Sequence, residues 1–525
     1  MKKNKILLAI FLLSVLLIFV LQAKSNSKKE YESVESFMQF LTLLQENHIY
    51  ELSIDTLIDF AIDGIIKQMD IHTNYLQKSD LEHFSTQTEG HFGGLGIIIN
   101  KIGDYTTVLE PIDNTPAQRV GMIAGDKIVE VNGENVIGMD IDKLIRLLKG
   151  KPGTTVNVTV ERVGKEDWIT FEIVRDVIPI ASIPYVIKFD NGVGYIKIRQ
   201  FNGNATKEFG QALEELESQN IKGLIIDLRS NPGGLLSEAI STVDFFIEKD
   251  KLLLTTRGIK ESNTRQYYTN RDKRVYNYPI VVIINEASAS ASEIFAGVLQ
   301  DYDKAIIIGS TSYGKGSVQQ LYYLRNGDGV KITVSKYYIP SGRSIHRDIN
   351  DSLVKQETQT NEDNQKNLEL DKTKKRDKIY RTSGGRKVYG SGGIYPDLIF
   401  KPDTISSIER VLLVNNSYFD YSVIFHEESD IVVDEDFIAD ESIINDFFEF
   451  VKNEKDIELA LEEVESVYNA IKINLESSII KQNFSRDVAK KRLSLLDSQL
   501  QEALHLFDKF DSLDDMLKYV EIRNQ

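Results

Sequence analysis

Apolar positions along the chain change period several times, and each period predicts a different kind of structure. Between residues 28 and 85, Phe37, Phe40, Leu41 and Leu44, and then Leu57, Phe60, Ala61, Ile65 and Ile66, recur at helical spacing and predict a small helical region. From 86 to 177 the apolar runs shorten. Gly93 to Ile99 is a glycine-rich turn entering a strand, and Thr106–Leu109, Lys127–Val131, Thr155–Arg162 and Trp168–Val174 are further strands. Thr115–Val120 and Ile141–Leu148 interrupt them as two helices, so this stretch predicts a small, partly open barrel.

Residues 178 to 403 alternate strand and helix. Strands are expected at Val193–Ile198, Leu224–Leu228, Pro279–Ile284, Ala305–Ile308, Val318–Leu324 and Val330–Tyr338, and helices at Thr206–Gln219, Leu235–Phe246 and Ser290–Leu299. Such alternation predicts an α/β core. Residues 348–378 are polar, with few large apolar side chains, and predict a mobile insertion. From 404 to 525 the chain is acidic and helix-patterned, with Phe447, Phe448, Phe450 and Val451 in one cluster and Leu493, Leu496, Leu500, Leu504 and Phe507 in another.

Composition changes this picture in three places. At 525 residues the chain should hold about three or four domains. Its net charge of −17 argues against a general nucleic-acid binder, because phosphate backbones select basic surfaces. It has no cysteine, which excludes disulfides, thiolate catalysis, cysteine-based zinc sites and a lipid anchor on cysteine. At the N-terminus, Lys2, Lys3 and Lys5 precede the uncharged segment Ile6–Ala23, the pattern of a signal peptide or signal anchor over residues 1–24. Leu21-Gln22-Ala23 is a poor cleavage site, so a retained inner-membrane anchor is favoured, with the bulk of the chain in the cell envelope or periplasm.

The candidate chemistry lies in three segments of the α/β region. In Leu224–Gly234, a buried strand turns through Asn231-Pro232-Gly233-Gly234 into a helix, and exposed amides at such a turn suit an oxyanion hole; an ordinary βα turn is the alternative. In Ser288-Ala289-Ser290-Ala291-Ser292-Glu293, a serine at a helix start sits where the dipole favours negative charge; a helix-capping box is the alternative. In Tyr313-Gly314-Lys315-Gly316, a lysine between glycines can turn inward, or remain a solvated loop lysine. No P-loop and no His-Glu-x-x-His motif is present, and no metal or cofactor is expected. No histidine lies between His91 and His346, so none is local in sequence to these serines.

Two resemblances organise these segments. Gly94-Leu95-Gly96-Ile97 resembles the carboxylate-binding loop of a PDZ domain, and Ala117–Asp126, followed by Ile128, Val131 and Asn132-Gly133, is similar to the rest of that domain. Glycine-turn amides capture a C-terminal carboxylate, and the adjoining strand edge accepts an extended peptide. The three motifs after it, in that order, resemble the C-terminal processing (tail-specific) peptidases over roughly residues 60–400. That resemblance implies Ser290 as nucleophile, Lys315 as base, Gln319 as the residue orienting the lysine, and the amides of Gly234 and Ala291 as oxyanion hole. From the residues alone, Ser290 cannot be chosen over Ser288 or Ser292. Met69–Tyr75 departs from the family by lacking the proline of its Asp-Pro-His motif.

The expected architecture is therefore multidomain α/β. A PDZ-like β-barrel precedes an α/β serine-peptidase core, with helical regions at both ends. The implied function is an exported endopeptidase acting on proteins with accessible C-termini through a Ser-Lys pair. Its base must be a neutral lysine, with its pKa lowered from ~10.4 by burial. The terminal helical regions are candidates for homo-oligomer or adaptor contacts, and the N-terminal segment for a membrane contact. The rivals are a catalytically silent peptide-binding scaffold and a hydrolase or binder of small apolar molecules on the same fold.

Overall fold

The computed structural model describes residues 31–270, 276, 278–347, 378–401, 403–459 and 461–523. The expected signal segment at 1–24 and residues 348–377 of the expected insertion lie outside the described residues. Among the described residues, no helix is long and apolar enough to cross a membrane. The chain forms two compact units, one comprising the residues up to Gln77 together with Leu321–Thr333, the other most of the remainder.

The first unit holds a helix over 31–47 and a second at Ile54–Ile66, started by Ser53, whose hydroxyl accepts the Thr56 N–H at 3.1 Å. The helical pattern then breaks at Asp70. Its carboxylate accepts the His72 amide at 3.0 Å and the Thr73 and Thr333 hydroxyls at 2.6 and 2.8 Å. This local turn chemistry competes with helix, and Asn74–Leu76 instead runs as a strand antiparallel to Gly329–Lys331.

In the second unit, the PDZ-like region is an antiparallel sheet in the order Ile97–Ile102, Tyr105–Pro111, Lys127–Val131, Thr155–Glu161, Ile169–Val174, with a short strand Glu134–Asn135 beside Lys127–Val131. Helices Pro116–Arg119 and Ile141–Leu148 close it over a core that includes Leu95, Val108, Met122, Ile128, Leu144, Val158 and Ile173. Gly93 and Gly94 belong to a separate ribbon, His91–Gly94 against Asp176–Pro179, so the turn proper is confined to Leu95-Gly96.

The α/β core is a six-stranded sheet in the order Tyr185–Lys188, Val193–Lys197, Gly223–Asp227, Ile280–Ile284, Ile306–Gly309, Leu398–Ile399. All neighbours are parallel except the first pair. The central strands are buried on both faces, which is why they read in sequence as unbroken apolar runs. Helices Ala205–Ser218, Leu236–Val243 and Ala291–Asp301 all pack on the face carrying Ile226, Val282, Ile284 and Ile307. The opposite face, carrying Tyr195, Ile225, Val281, Ile283 and Ile306, would be bare. It is covered by Ser498–Lys509 and Leu513–Arg523 through Leu500, Ala503, Phe507, Met516 and Val520.

The remaining C-terminal helices, between Ser407 and Leu493, form a bundle around Leu412, Tyr421, Phe447, Val451, Ile471 and Leu475. A second sheet pairs Leu252–Gly258 with Arg265–Tyr268 and with the end of Gly329–Tyr338. The sequence pattern gives none of the first two strands, because Arg265–Tyr268 is mostly exposed and carries no alternation.

Candidate active site

The Gly223–Asp227 strand delivers the first candidate segment to the carboxyl edge of the parallel sheet. Beyond it the chain is held by Asn231, which is fully buried. Its side chain donates to the Ile198 carbonyl at 3.0 Å and accepts the Gly233 amide at 2.9 Å. Gly233 and Gly234 have φ of +102° and +146°. A Cβ on Gly234 would lie 2.2 Å from the Phe201 carbonyl oxygen, and one on Gly233 would lie 2.9 Å from Ser290 Cβ and 3.0 Å from the Ala291 nitrogen. Glycine is therefore required at both positions, and the turn lies directly against the serine segment.

The three serines of that segment differ sharply. Ser288 and Ser292 are fully buried, and their hydroxyls donate to the carbonyls of Leu228 at 2.8 Å and Asn231 at 3.0 Å. Both serve the backbone of the neighbouring strand end. Ser290 is half-buried, stands one residue before the Ala291–Asp301 helix, and has φ +55° and ψ −110°. A non-glycine residue there carries strain of about 1–3 kcal/mol, which the surroundings must hold in place.

The two expected oxyanion amides are oriented by the carbonyls next to them. The Gly233 carbonyl accepts the Phe201 amide at 2.9 Å, and the Ser290 carbonyl accepts the Glu293 and Ile294 amides at 2.9 and 3.0 Å. A trans peptide sets each carbonyl antiparallel to the following N–H. The amides of Gly234 and Ala291 thus point away from those partners, and among the described residues neither donates a hydrogen bond.

Lys315 is half-buried in a loop stitched to the serine segment by two residues that sequence reasoning missed in this role. Glu293, buried in the first turn of the helix, accepts four donors. Its Oε2 takes the amides of Ser290 and Lys315, both at 2.8 Å, and its Oε1 takes the Gly314 amide at 2.7 Å and the Ser312 hydroxyl at 2.6 Å. Burial pushes the Glu293 carboxyl above its ordinary value, against the pull of those donors. The second residue is Tyr337, fully buried, whose hydroxyl lies between the carbonyls of Ser290, at 3.1 Å, and Lys315. Burial, and then the Glu293 charge, hold that phenol well above its ordinary value, so it stays a donor.

The capping-box spacing of Ser290 and Glu293 is real in the sense that Glu293 accepts the Ser290 amide, but the same carboxylate also holds the lysine loop. The sequence signal was an acidic residue in a helix whose every residue is buried. Tyr337 left no signal. Gln319 lies on the Ser317–Tyr323 strand and donates its amide to Ser317 Oγ at 3.0 Å. The backbone of His346 passes close to this loop: a Cβ on Gly316 would lie 2.6 Å from the His346 main-chain nitrogen.

Beneath the first turn, Asp227 accepts Lys197 Nζ at 3.1 Å, the Tyr195 hydroxyl at 3.0 Å and the Arg229 guanidinium at 2.6 Å, and Arg229 also binds Asp497 at 2.6 Å. Burial alone would raise the Asp227 carboxyl, but the Lys197 and Arg229 charges outweigh it and hold the group far below the carboxylate range. Among the described residues, no cluster of side chains could hold a metal ion.

In the PDZ-like region, the Leu95 carbonyl accepts the Ala117 amide at 2.9 Å, and the Gly96 carbonyl accepts the Ile112 amide at 2.8 Å and the Thr115 hydroxyl at 3.1 Å. By the same trans-peptide argument, the Gly96 and Ile97 amides face away from the body of the domain, at the open edge of the sheet. Gly96 has φ +83°, and a Cβ there would meet Thr115 at 2.2 Å.

Comparison with known proteins places the two regions in known families. The model for peptidase family S41 matches residues 192–354, and a PDZ domain model matches residues 107–162. The carboxy-terminal-processing protease of Bartonella bacilliformis is 34% identical over 325 residues, covering 61% of this chain and 74% of that protein. The carboxy-terminal processing protease CtpB of Bacillus subtilis is 31% identical over 329 residues, 62% of this chain and 68% of that protein. Among solved structures, the photosystem II D1 C-terminal processing protease shares 26% identity over 59% of this chain and 89% of that one, with a TM-score of 0.33. The PDZ match lies ahead of the peptidase match, in the order of the two regions described above, and the chain belongs to peptidase family S41, the carboxy-terminal-processing serine peptidases.

Proposed function

We propose that this peptidase hydrolyses bonds near the C-termini of protein substrates with Ser290 as nucleophile and Lys315 as general base. A substrate tail docks its carboxylate on the Gly94–Ile97 loop and adds a strand at the open edge of that sheet. Ser290 Oγ then bonds to a peptide carbonyl carbon while its proton passes to the neutral Lys315 amine. The amides of Gly234 and Ala291 receive the developing oxyanion. Collapse breaks the C–N bond, Lys315 returns the proton to the leaving amine, and water releases the acyl group by the same route. Gln319 is assigned to orienting the lysine.

The observation that carries this reading is the double clamp: one carboxylate, Glu293, and one phenol, Tyr337, each hold the backbone of both Ser290 and Lys315. Such a clamp fixes a hydroxyl-bearing and an amine-bearing residue in one place and serves no purpose for a solvated loop lysine. The test is hydrolysis of a tailed peptide by Lys315→Met and Ser290→Ala. Both should lose turnover while keeping the wild-type circular dichroism spectrum and the affinity for the peptide tail. Normal turnover in either variant rejects the assignment.

Lys2, Lys3 and Lys5 followed by Ile6–Ala23 support placement in the cell envelope, anchored by that segment. Added protease should then degrade the chain in intact spheroplasts, and protection until lysis would overturn the placement.

A further inference from the structure

The proposed chemistry leaves one charged cavity unused. It opens at the carboxyl edge of the parallel sheet, has a volume of about 470 Å³, and lies between the strand ends and the helix Arg486–Leu493. Its floor is on the face of Tyr195 and Ile225, opposite the face that packs the Ser290 helix.

The charges in it do not balance. Lys197 and Arg229 are matched by Asp227 and Asp497, two cations against two carboxylates, all four in hydrogen bonds with one another. Two cations and one carboxylate remain, namely Arg199, Lys490 and Glu286. Glu286 accepts the Ser310 hydroxyl at 2.8 Å. Among the described residues the Arg199 guanidinium makes no hydrogen bond or ion pair. The Glu208 charge acts on it favourably without a direct bond, and Oε2 of that carboxylate accepts the amides of Ser182 and Ile183 at 2.7 and 2.9 Å. The Lys490 amine lies over the Tyr185 ring, 6.0 Å from its centroid, and makes no ion pair among the described residues.

The surroundings make this surplus costly. Burial, and then the nearby charge of Arg486, lower the Arg199 guanidinium, while Lys197 feels both Arg229 and Lys490 as like charges. A chain of net charge −17 has ample carboxylates to neutralise such a group, yet it leaves these two cations turned into one cavity with tyrosine walls. Convergent, partly desolvated cations with unused donors are the chemistry that recognises an oxyanion.

We propose that this cavity binds a small oxyanion, the carboxylate of a peptide end or inorganic phosphate, held by Arg199 and Lys490. The site is separate from the PDZ-like loop and from Ser290, so it stands whether or not the Ser-Lys assignment does.

The test is thermal unfolding of the full-length chain carrying Ser290→Ala, which prevents turnover, at constant ionic strength. Sodium phosphate, N-acetyl-dialanine and its C-terminal amide are titrated against sodium chloride. Binding to the folded chain alone gives a saturable rise in Tm of a few degrees. The rise should appear with phosphate, the peptide acid or both; in Arg199→Ala/Lys490→Ala the phosphate response should vanish and the acid response should fall. A response to the acid alone names peptide ends as the source, and one to phosphate alone names phosphate. A residual response to the acid in the double variant is the part bound at the PDZ-like loop, and the part lost is the part bound in this cavity. A rise matched by chloride, equal with the amide, or unchanged in the double variant overturns the proposal. The double variant should retain peptidase activity in the Ser290 background.

Discussion

Glu293 meets four hydrogen-bond donors with two carboxylate oxygens, and that count determines what its replacement does. In Glu293→Gln one oxygen becomes an NH₂ group; on the Ser312 side it can donate to that hydroxyl but opposes the Gly314 N–H, and the charge that strengthens the remaining bonds is lost. Losing hydrogen bonds to a buried charged group costs about 1.5–3 kcal/mol each. The expected result is a fall in kcat of about 100-fold or more, with the tail-peptide affinity unchanged, since the PDZ-like loop is untouched. A drop confined to KM would show that Glu293 does not hold the catalytic pair. Ser288→Ala and Ser292→Ala remove hydroxyls that serve the backbone, donating to the Leu228 and Asn231 carbonyls and, at Ser288, accepting the Asn285 amide. Each should lower stability by about 1–3 kcal/mol in urea unfolding while an active-site-directed fluorophosphonate still labels the chain at Ser290. Loss of labelling in Ser288→Ala would move the nucleophile. The three serines were indistinguishable in sequence because what separates them is the carbonyls of Leu228 and Asn231, about 60 residues away along the chain, and each buried polar group must find a partner. The family resemblance supplied Ser290 and Lys315, but neither Glu293 nor Tyr337 as the parts that hold them.

At the level of elements, the sequence was most legible where burial is one-sided or complete. Leu224–Leu228 and Lys127–Val131 were placed within a residue because short β-branched apolar runs bounded by turn residues read as strands. The apolar spacing of Leu500, Leu504 and Phe507 predicted a helix but could not say what it covers. That follows only from the topology: three crossover helices on one face leave the other open. The charged strand end Asp227 was likewise legible as a terminus and not as a buried ion quartet with Lys197, Arg229 and Asp497. Its carboxyl is held far below its unfolded value near ~3.9, so its contribution to stability is full above that pH and is lost as pH falls through the folded value. Asp227→Asn leaves Lys197 without its carboxylate, and breaking a buried pair costs about 3–5 kcal/mol. The Tm gap between wild type and Asp227→Asn should therefore be large at pH 7 and shrink below about pH 4. A gap constant from pH 7 to pH 3 would mean that the quartet contributes through shape rather than charge.

For the second unit as a whole, the helix Arg486–Leu493 touches both the PDZ-like region and the peptidase core. Arg486 and Lys481 both pair with Glu110, on the strand next to the open edge of the PDZ-like sheet. One residue on, Asp487 accepts the Val186 amide of the core sheet at 3.0 Å, and Lys491 reaches Asp190 at 2.6 Å. Beside these pairs Val423 of the bundle packs so closely on Gly125 that a Cβ there would lie 2.5 Å away. Two kinds of contact thus hold the PDZ-like region to the bundle, and only one of them responds to salt. Trp168, the single tryptophan of the chain, lies at the edge of the PDZ-like sheet and is half exposed, so it reports the motion of that region alone. Glu110→Ala removes both ion pairs and leaves Val423 in place. The slow component of the Trp168 anisotropy decay should shorten in this variant at low salt. Because the pairs are partly exposed, the wild type should approach the variant as the Debye length falls from about 30 Å at 0.01 M to about 3 Å at 1 M. Equal decays at low salt would show that apolar packing alone fixes the PDZ-like region. A difference that persists undiminished at high salt would show that Glu110 acts through packing and not through its charge.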